Sequence, residues 1–493
     1  MNPATGLLLV DSKDIEQLQP TIAPLGPEMD TPIWIIGQEG PEYAQSFKDI
    51  DQFYNYMENN VAMPIPEVMG AGTYGIQKRL QAIFDNRLAE QDKVREEIKA
   101  KQASWSWPKN PKVFCYTTRF STVMKHQAQG LLKGFEKIGC ETRFAIERDG
   151  RERYSIGNHY LPILREIRDF EPDLILNINF YRLPELHGTT IPYYTWVQDR
   201  IRNFSTEDAQ GIKGNDFIGM MVKGWVDKWV GYGFPREQMM EHPCNYDPDM
   251  FYPGNEKREG LVYVEQNGAR TPFQMFKQLY SRHSTEVRSK LIEFYGRCSD
   301  LFAMGEDLFE DDYKRIMDDI ENNCDDKRLV DIMGEDVKNL MMHDYYREVG
   351  NRWIRQRPLA EMKDLPLSLY GNGWEAHPLL GKCAKGAIEY KDLPNIYRKA
   401  KVVIQLQHEC TMVHRTVEGL ACGANLMVRH LEKDSARASD YVKCTEFKNG
   451  QAVKVANTLL HTEPLLPEQT GVLDYRYEVW AKKILDWIGG RHG

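Results

Sequence analysis

Between Leu367 and Val428 the chain alternates apolar runs and helical segments in an order that few architectures accommodate. Leu367-Ser-Leu-Tyr-Gly-Asn-Gly-Trp reads as a short strand ending in glycines. A helix then feeds a second strand at Val402–Leu406, and a polar loop leads into a helix whose first turn holds Arg415 and Glu418. Strands alternating with helices imply a parallel sheet covered on both faces. In such a sheet, strand carboxyl ends and helix amino termini meet at one crevice, which suits phosphorylated ligands.

The same alternation appears earlier. Lys112-Val-Phe-Cys-Tyr-Thr-Thr predicts a buried strand, followed by a helix near Met124–Ile138 that stops at Gly139. Glu141–Ile146 completes a β-α-β unit. A helix at Leu161–Phe170, strands at Leu174–Asn179 and Pro192–Val197, and further sheet and helix near Asp216–Val230 extend it. A strand at Gly260–Val264 opens a second such region, and roughly ninety residues of charged helical spacing follow before strands resume at Leu367. The expected organisation is an accessory region over 1–110, a first Rossmann-like domain over 111–255 and a second over 256–465, with a helical insertion at about 270–360. Residues 466–493 are expected to supply a terminal helix, near Tyr475–Ile488, that returns to the first domain. Within the accessory region, strands are expected at Gly6–Val10 and Ile33–Ile36. A helix at about Gln77–Lys101 would present Leu80, Phe84, Leu88, Val94 and Ile98 on one packed face. Pro108 and Pro111 make 105–111 a linker.

Composition narrows the function classes. With 493 residues, 42% hydrophobic and 11% aromatic, the chain has material for more than one core. A net charge of −9 argues against a surface that grips nucleic acid throughout. Nine cysteines without a Cys-x-x-Cys pair indicate neither a zinc knuckle nor a disulfide framework. No apolar run reaches the ~20 residues that span a bilayer. The expectation is a cytoplasmic protein with reduced thiols and no membrane span.

The candidate site residues follow from position. A carboxylate at Glu418, one turn into a helix tightened by Ala421, Gly423 and Ala424, can accept both hydroxyls of a ribose diol. The amides of Met412 to Arg415, including His414, would face a diphosphate. Arg270, in Gln266-Asn-Gly-Ala-Arg-Thr, can neutralise a departing diphosphate where no metal is bound, and Gly268 beside it permits close backbone approach. Gly371, Gly373 and Trp374 would form a turn near the nucleobase. Asp199 ends an apolar strand beside Arg200 and Arg202. It is either a general base for an acceptor hydroxyl or a carboxylate paired with a neighbouring arginine or capping the next turn. His126 lies on a helix following the Thr118-Arg-Phe-Ser-Thr loop.

Arg415-x-x-Glu418-x-x-Ala421-Cys422-Gly423 resembles the signature of the GT-B family-four clan of glycosyltransferases, and especially of bacterial spore-maturation, CgeB-like members. The resemblance implies a GT-B fold, two Rossmann-like domains facing a cleft, and transfer of a sugar from a nucleotide-diphosphate donor. It implies Glu418 as the ribose ligand, with Thr411, Met412, His414 and Arg415 completing the donor site. No metal and no cofactor beyond the donor is expected, and the acceptor could be a glycan, a protein or modified DNA. Retaining family members carry two glutamates eight positions apart. Here Cys410 stands eight before Glu418, with Glu409 adjacent, and Gln198 stands where members carry a first-domain histidine. A sugar-nucleotide epimerase on the same scaffold and a non-catalytic nucleotide-sugar or glycan-binding protein are the alternatives.

Asp392 and Tyr397, in the family's Asp-Leu-Pro-x-Ile-Tyr element, read as helix cap and packing. Three further patterns carry no function in this reading. Gly70-Ala-Gly-Thr-Tyr-Gly75 spells a dinucleotide fingerprint, but the prolines before it make a poor central strand and favour a loop. Asp247-Pro-Asp249 falls in the expected interdomain connection, Asn245 to Pro253, and Glu310–Asp312 is a solvated helix face.

Overall fold

The computed structural model describes residues 6–9, 33–35, 54–55, 58, 67–69, 74–102, 105–117, 122–146, 160–183, 186, 188–199, 206–267, 285–304, 308, 310–323, 350–407 and 410–492. The chain divides into two compact units. The first comprises Met1–Met221, Val226–His242 and Tyr477–Gly493; the second comprises Val222–Trp225 and Pro243–Arg476.

The first unit begins with β1 (Gly6–Leu9), β2 (Ile33–Ile35) and β3 (Glu67–Met69), then α1 (Tyr74–Gln102). The three strands form a small sheet in which β1 pairs antiparallel to β2 and parallel to β3. The stretch leading to Gly70 therefore ends in a short strand rather than remaining a loop throughout. That strand, β3, lies at the edge of the small sheet. Residues 70–73 of the fingerprint lie outside the described residues. The buried face of α1 also differs from expectation: Leu80, Ile83, Arg87, Gln91, Val94 and Ile98 are buried, whereas Phe84 and Leu88 are only partly so. Offsets of three and four follow the 3.6 period better than the uniform four from Leu80 to Leu88. Burial lowers the Arg87 pKa to about 10.

The main sheet of this unit contains β4 (Lys112–Thr117), α2 (Thr122–Lys137), β5 (Glu141–Ile146), α3 (Leu161–Phe170), β6 (Leu174–Ile178), β7 (Tyr193–Val197), β8 (Asp216–Met220), α4 (Lys223–Val230) and β9 (Met239–Glu241) in chain order. All pairings are parallel, in the order β5-β4-β6-β7-β8-β9. Alternate strand residues supply two cores. Phe114, Tyr116, Ile175 and Tyr193 meet α1 and α3; Val113, Cys115, Leu176, Tyr194 and Trp196 meet α2.

The second unit contains β10 (Glu259–Val264), α5 (Thr285–Met304), α6 (Glu310–Asn322), α7 (Asn351–Glu361), β11 (Leu367–Tyr370), β12 (Ala384–Gly386), α8 (Leu393–Lys399), β13 (Ala400–Gln405), α9 (His414–Ala421), β14 (Asn425–Arg429), β15 (Thr445–Phe447) and α10 (Ala452–His461). Its sheet is again parallel, in the order β12-β11-β10-β13-β14-β15. The inserted helices α5 and α6 form their own apolar core around Phe294, Cys298, Tyr313 and Ile316.

The last helix, α11 (Tyr477–His492), belongs to the first unit. It lies against α2 at Gly130 and Gly134: a Cβ on Gly130 would sit 2.3 Å from the Tyr477 ring, and one on Gly134 2.6 Å from the Tyr477 backbone. His242 fastens the same helix, stacked between Trp196 at 4.2 Å and Trp480 at 4.6 Å. Among the described residues no helix is long and apolar enough to cross a membrane. The two parallel, helix-flanked sheets are the pair of Rossmann-like sheets that defines the GT-B class.

Candidate functional site

The strand order of the second unit locates its crevice. From β10 the chain builds outward through β11 and β12, then returns to the other side of β10 with β13. The switch point is between β10 and β13, and ligands of open α/β sheets bind beyond the carboxyl ends of such strands. Glu265 directly follows β10, and Gln405 is the last residue of β13. Arg415 and Glu418 come from α9, the helix after β13.

These side chains form one charged cluster. The Glu265 carboxylate accepts from Arg415 at 2.8 Å, from the Tyr263 hydroxyl at 3.1 Å, and from Arg355 of α7. Arg415 also donates to Gln405 Oε1 at 3.0 Å. Burial, the largest single influence, works to lower the Arg415 pKa, but Glu265 together with Tyr263, Tyr397 and Glu418 outweighs it, so the guanidinium stays charged. Glu418 is 3% exposed and accepts from the Tyr390 hydroxyl at 3.1 Å. Burial raises its pKa to about 7, against the Tyr390 hydrogen bond and the Arg415 charge. Close packing makes this depth possible: a Cβ on Gly419 would meet Val403 at 3.1 Å, so α9 lies tight on β13. Of the expected small residues, Ala421 and Ala424 are buried, and Gly423 acts differently. Gly423, at φ 79°, instead turns the chain out of the helix in the left-handed region.

The loop before α9 corrects part of the expected donor site. Met412 is fully buried, and its amide donates to Ala436 O at 2.9 Å. Thr411 is also buried; its hydroxyl donates to Asp434 and accepts from the Ala438 amide at 2.8 Å. Both residues clamp one loop to another, and the Met412 amide is already committed. Helix geometry leaves the His414 and Arg415 amides as first-turn donors. The His414 ring donates through Nδ1 to Asn245 O at 3.0 Å, and burial lowers its pKa to about 4, so it is neutral.

Trp374 is likewise a core residue. It is fully buried, lies edge-on to Tyr263 and donates to Glu265 O at 2.6 Å. Gly371, at φ 126°, lets its turn approach the Glu265 carbonyl; a Cβ there would stand 2.5 Å from that oxygen. Gly373, also at positive φ, gives its carbonyl to Asn267 Nδ2 at 3.0 Å. The glycine turn thus buttresses the backbone on which Glu265 stands. Gly268, Arg270 and Glu409 lie outside the described residues. Cys410 is buried, with its thiol toward Met412 O.

In the first unit, Asp199 is exposed just beyond β7. Asn179 orients it: its side-chain nitrogen donates to Asp199 Oδ2 at 2.9 Å, while its oxygen accepts from the Gln198 and Asp199 amides. Asn179 has φ 62°, a left-handed conformation that asparagine tolerates better than most residues. Arg200 and Arg202 lie outside the described residues. His126 is half-buried on α2, its pKa lowered by burial and by Lys125. Asp392 stands at the start of α8 but makes no side-chain cap hydrogen bond, contrary to expectation, while Tyr397 packs in the core near Phe251.

Glu265, Gln405, Tyr390, Asn179 and Arg355 were not singled out by the sequence. The first two carried a usable signal, since each is a polar residue at the carboxyl end of a parallel strand. Arg355 carried none, lying in a charged helical stretch like many other arginines.

Residues 347–455 match a family model described as glycosyl transferase-like. No curated protein matches the chain. Similar solved structures include a glycosyltransferase from Rickettsia africae, 10% identical over 78% of this chain and 97% of that one, with a TM-score of 0.41. AviGT4, a glycosyltransferase involved in avilamycin A biosynthesis, is 10% identical over 77% and 97%, with a TM-score of 0.44. Alr3699/HepE from Anabaena, solved with UDP-glucose, is 9% identical over 78% and 98%, with a TM-score of 0.33. Superpositions this loose leave the fold assignment resting on the two parallel sheets. The matched glycosyl transferase-like segment spans the helix that carries Glu418, and the two parallel, helix-flanked sheets give the chain a GT-B fold.

Proposed function

We propose that the second unit binds a nucleotide-diphosphate sugar and that the sugar passes to an acceptor hydroxyl. The observation that carries this reading is the buried Glu418 carboxylate beside the β10/β13 switch point, braced by Tyr390 and adjacent to the charged Arg415. A carboxylate offers two acceptor oxygens to a vicinal diol, and a first-turn helix and guanidinium offer donors to phosphate oxygens. Its Arg-x-x-Glu-x-x-Ala-Cys-Gly run supports a CgeB-like subtype. The family match favours transfer over epimerisation or simple binding.

In this reading Asp199, held by Asn179, takes the proton of the acceptor hydroxyl. The hydroxyl oxygen bonds to the anomeric carbon as the bond from that carbon to the diphosphate oxygen breaks. The departing electron pair rests on the diphosphate, whose charge Arg415 and Arg270 neutralise without a metal or further cofactor. The acceptor is a glycan, a protein or a modified nucleobase, and the protein works in the cytoplasm.

A thermal-shift panel of nucleotide sugars, each with an Asp199→Asn arm, tests this. The matching donor at a hundred times its dissociation constant stabilises by about 2.7 kcal/mol. Asp199→Asn is expected to keep that stabilisation while transfer falls at least a hundredfold. No stabilisation by any nucleotide sugar, or full transfer by Asp199→Asn, contradicts the corresponding part.

A further inference from the structure

The helix that closes the insertion reaches the site with three side chains. Arg352 Nε donates to Asn267 O at 3.1 Å, and Gln356 Nε2 donates to Asn267 Oδ1 at 2.7 Å. Between them on α7, Arg355 pairs with Glu265 and donates to Gln266 O at 3.5 Å and Gln407 Oε1 at 3.4 Å. One carboxylate therefore serves two guanidiniums, Arg355 and Arg415. The donors still exceed the acceptors. Arg355 is only 8% exposed, yet its Nε has no acceptor among the described residues. Gln405 is fully buried and gives its oxygen to Arg415, which fixes the amide's orientation and leaves Nε2 with no acceptor among the described residues.

Buried polar atoms are satisfied in nearly all folded proteins, so two unmet donors beside two shared guanidiniums describe a place short of negative oxygen atoms. We propose that Arg355 and Gln405, together with Arg415, form the seat for the diphosphate of the nucleotide, and that Glu265 is the positioning residue holding both arginines. This rests on the donor-site reading above and explains what the helical insertion contributes, since it delivers α7, and with it a second cation, to the crevice. A planar guanidinium suits phosphate oxygens through paired N–H donors, which a lysine reproduces only as a point charge.

The test is calorimetric binding of UDP, GDP, ADP and dTDP, with the matching monophosphates, to the full-length protein. The variants are Arg355→Gln, Arg355→Lys and Gln405→Glu. For whichever diphosphate binds the unaltered protein, Arg355→Gln is expected to weaken it at least tenfold and its monophosphate less than threefold, with Arg355→Lys intermediate. Gln405→Glu changes shape little but adds a repelling charge, and should likewise lower the ratio of diphosphate to monophosphate affinity at least tenfold. An unchanged ratio in a folded Arg355→Gln or Gln405→Glu protein overturns the assignment while leaving the donor site intact. If the unaltered protein binds none of the diphosphates, the donor-site reading falls and this inference with it.

Discussion

Glu418→Gln should separate the cost of burying this carboxylate from its use. The folded protein moves the Glu418 pKa from 4.5 to about 7, chiefly through burial. The folded state therefore holds the proton more tightly than the unfolded chain, so stability is fully present below pH 4.5 and lost as pH rises through 7. The loss amounts to about 3 kcal/mol, since each tenfold change in proton affinity is worth about 1.4 kcal/mol. Glutamine has nearly the same volume and can still accept from the Tyr390 hydroxyl, but it carries no ionisation cost. The melting temperature of Glu418→Gln minus that of the unaltered protein should therefore rise between pH 4.5 and pH 8. For a unit of roughly 240 residues, about 3 kcal/mol corresponds to about 6–12 °C. Differential scanning fluorimetry across that range measures the difference, and comparing proteins at each pH cancels titrations that both share. Donor affinity should fall in the same variant, because an amide accepts a diol less strongly than a carboxylate. A difference that stays flat with pH would mean that the carboxyl titrates near its ordinary value, and the buried-carboxylate reasoning would be refuted.

Two glycine predictions follow from local geometry. Gly371→Ala should destabilise the second unit by about 1–3 kcal/mol, read as a lower denaturation midpoint, because its Cβ would stand 2.5 Å from Glu265 O at φ 126°. Diphosphate binding should weaken with it, as Glu265 shifts. Gly134→Ala and Gly296→Ala should differ in sign, although both remove a helical glycine. The first drives a Cβ to 2.6 Å from the Tyr477 backbone and should hasten proteolytic release of the terminal helix, whereas the second meets nothing within 4 Å and should gain about 0.5–1 kcal/mol.

Three residues expected at the donor site have partners elsewhere, for a common reason. The Trp374 indole, the Thr411 hydroxyl and the Met412 amide stand where a donor site was expected, but a position in the chain does not say which partner a group takes. All three turn inward: Trp374 to the Glu265 carbonyl, Thr411 to Asp434, and Met412 into the core. The opposite error affected Gly371, whose glycine was noticed but whose partner, the Glu265 carbonyl, is more than a hundred residues away in sequence. The shift of the buried stripe on α1 to Ile83, Arg87 and Gln91 has a similar cause, because polar stems can line a helix face that hydrophobicity alone would not select.

The sequence by itself determined the class of fold and the place of the carboxylate. Alternating strands and helices are local patterns, written in periodicities of two and 3.6, and they require a parallel sheet with Glu418 on the helix after an inner strand. Only the tertiary structure decided the company that carboxylate keeps. Glu265, Arg355, Tyr390, Gln405 and Arg415 come from separate elements, and strand order brings them together at the junction of β10 and β13. Charge pairing and desolvation act through distances across space, which no spacing along the chain records.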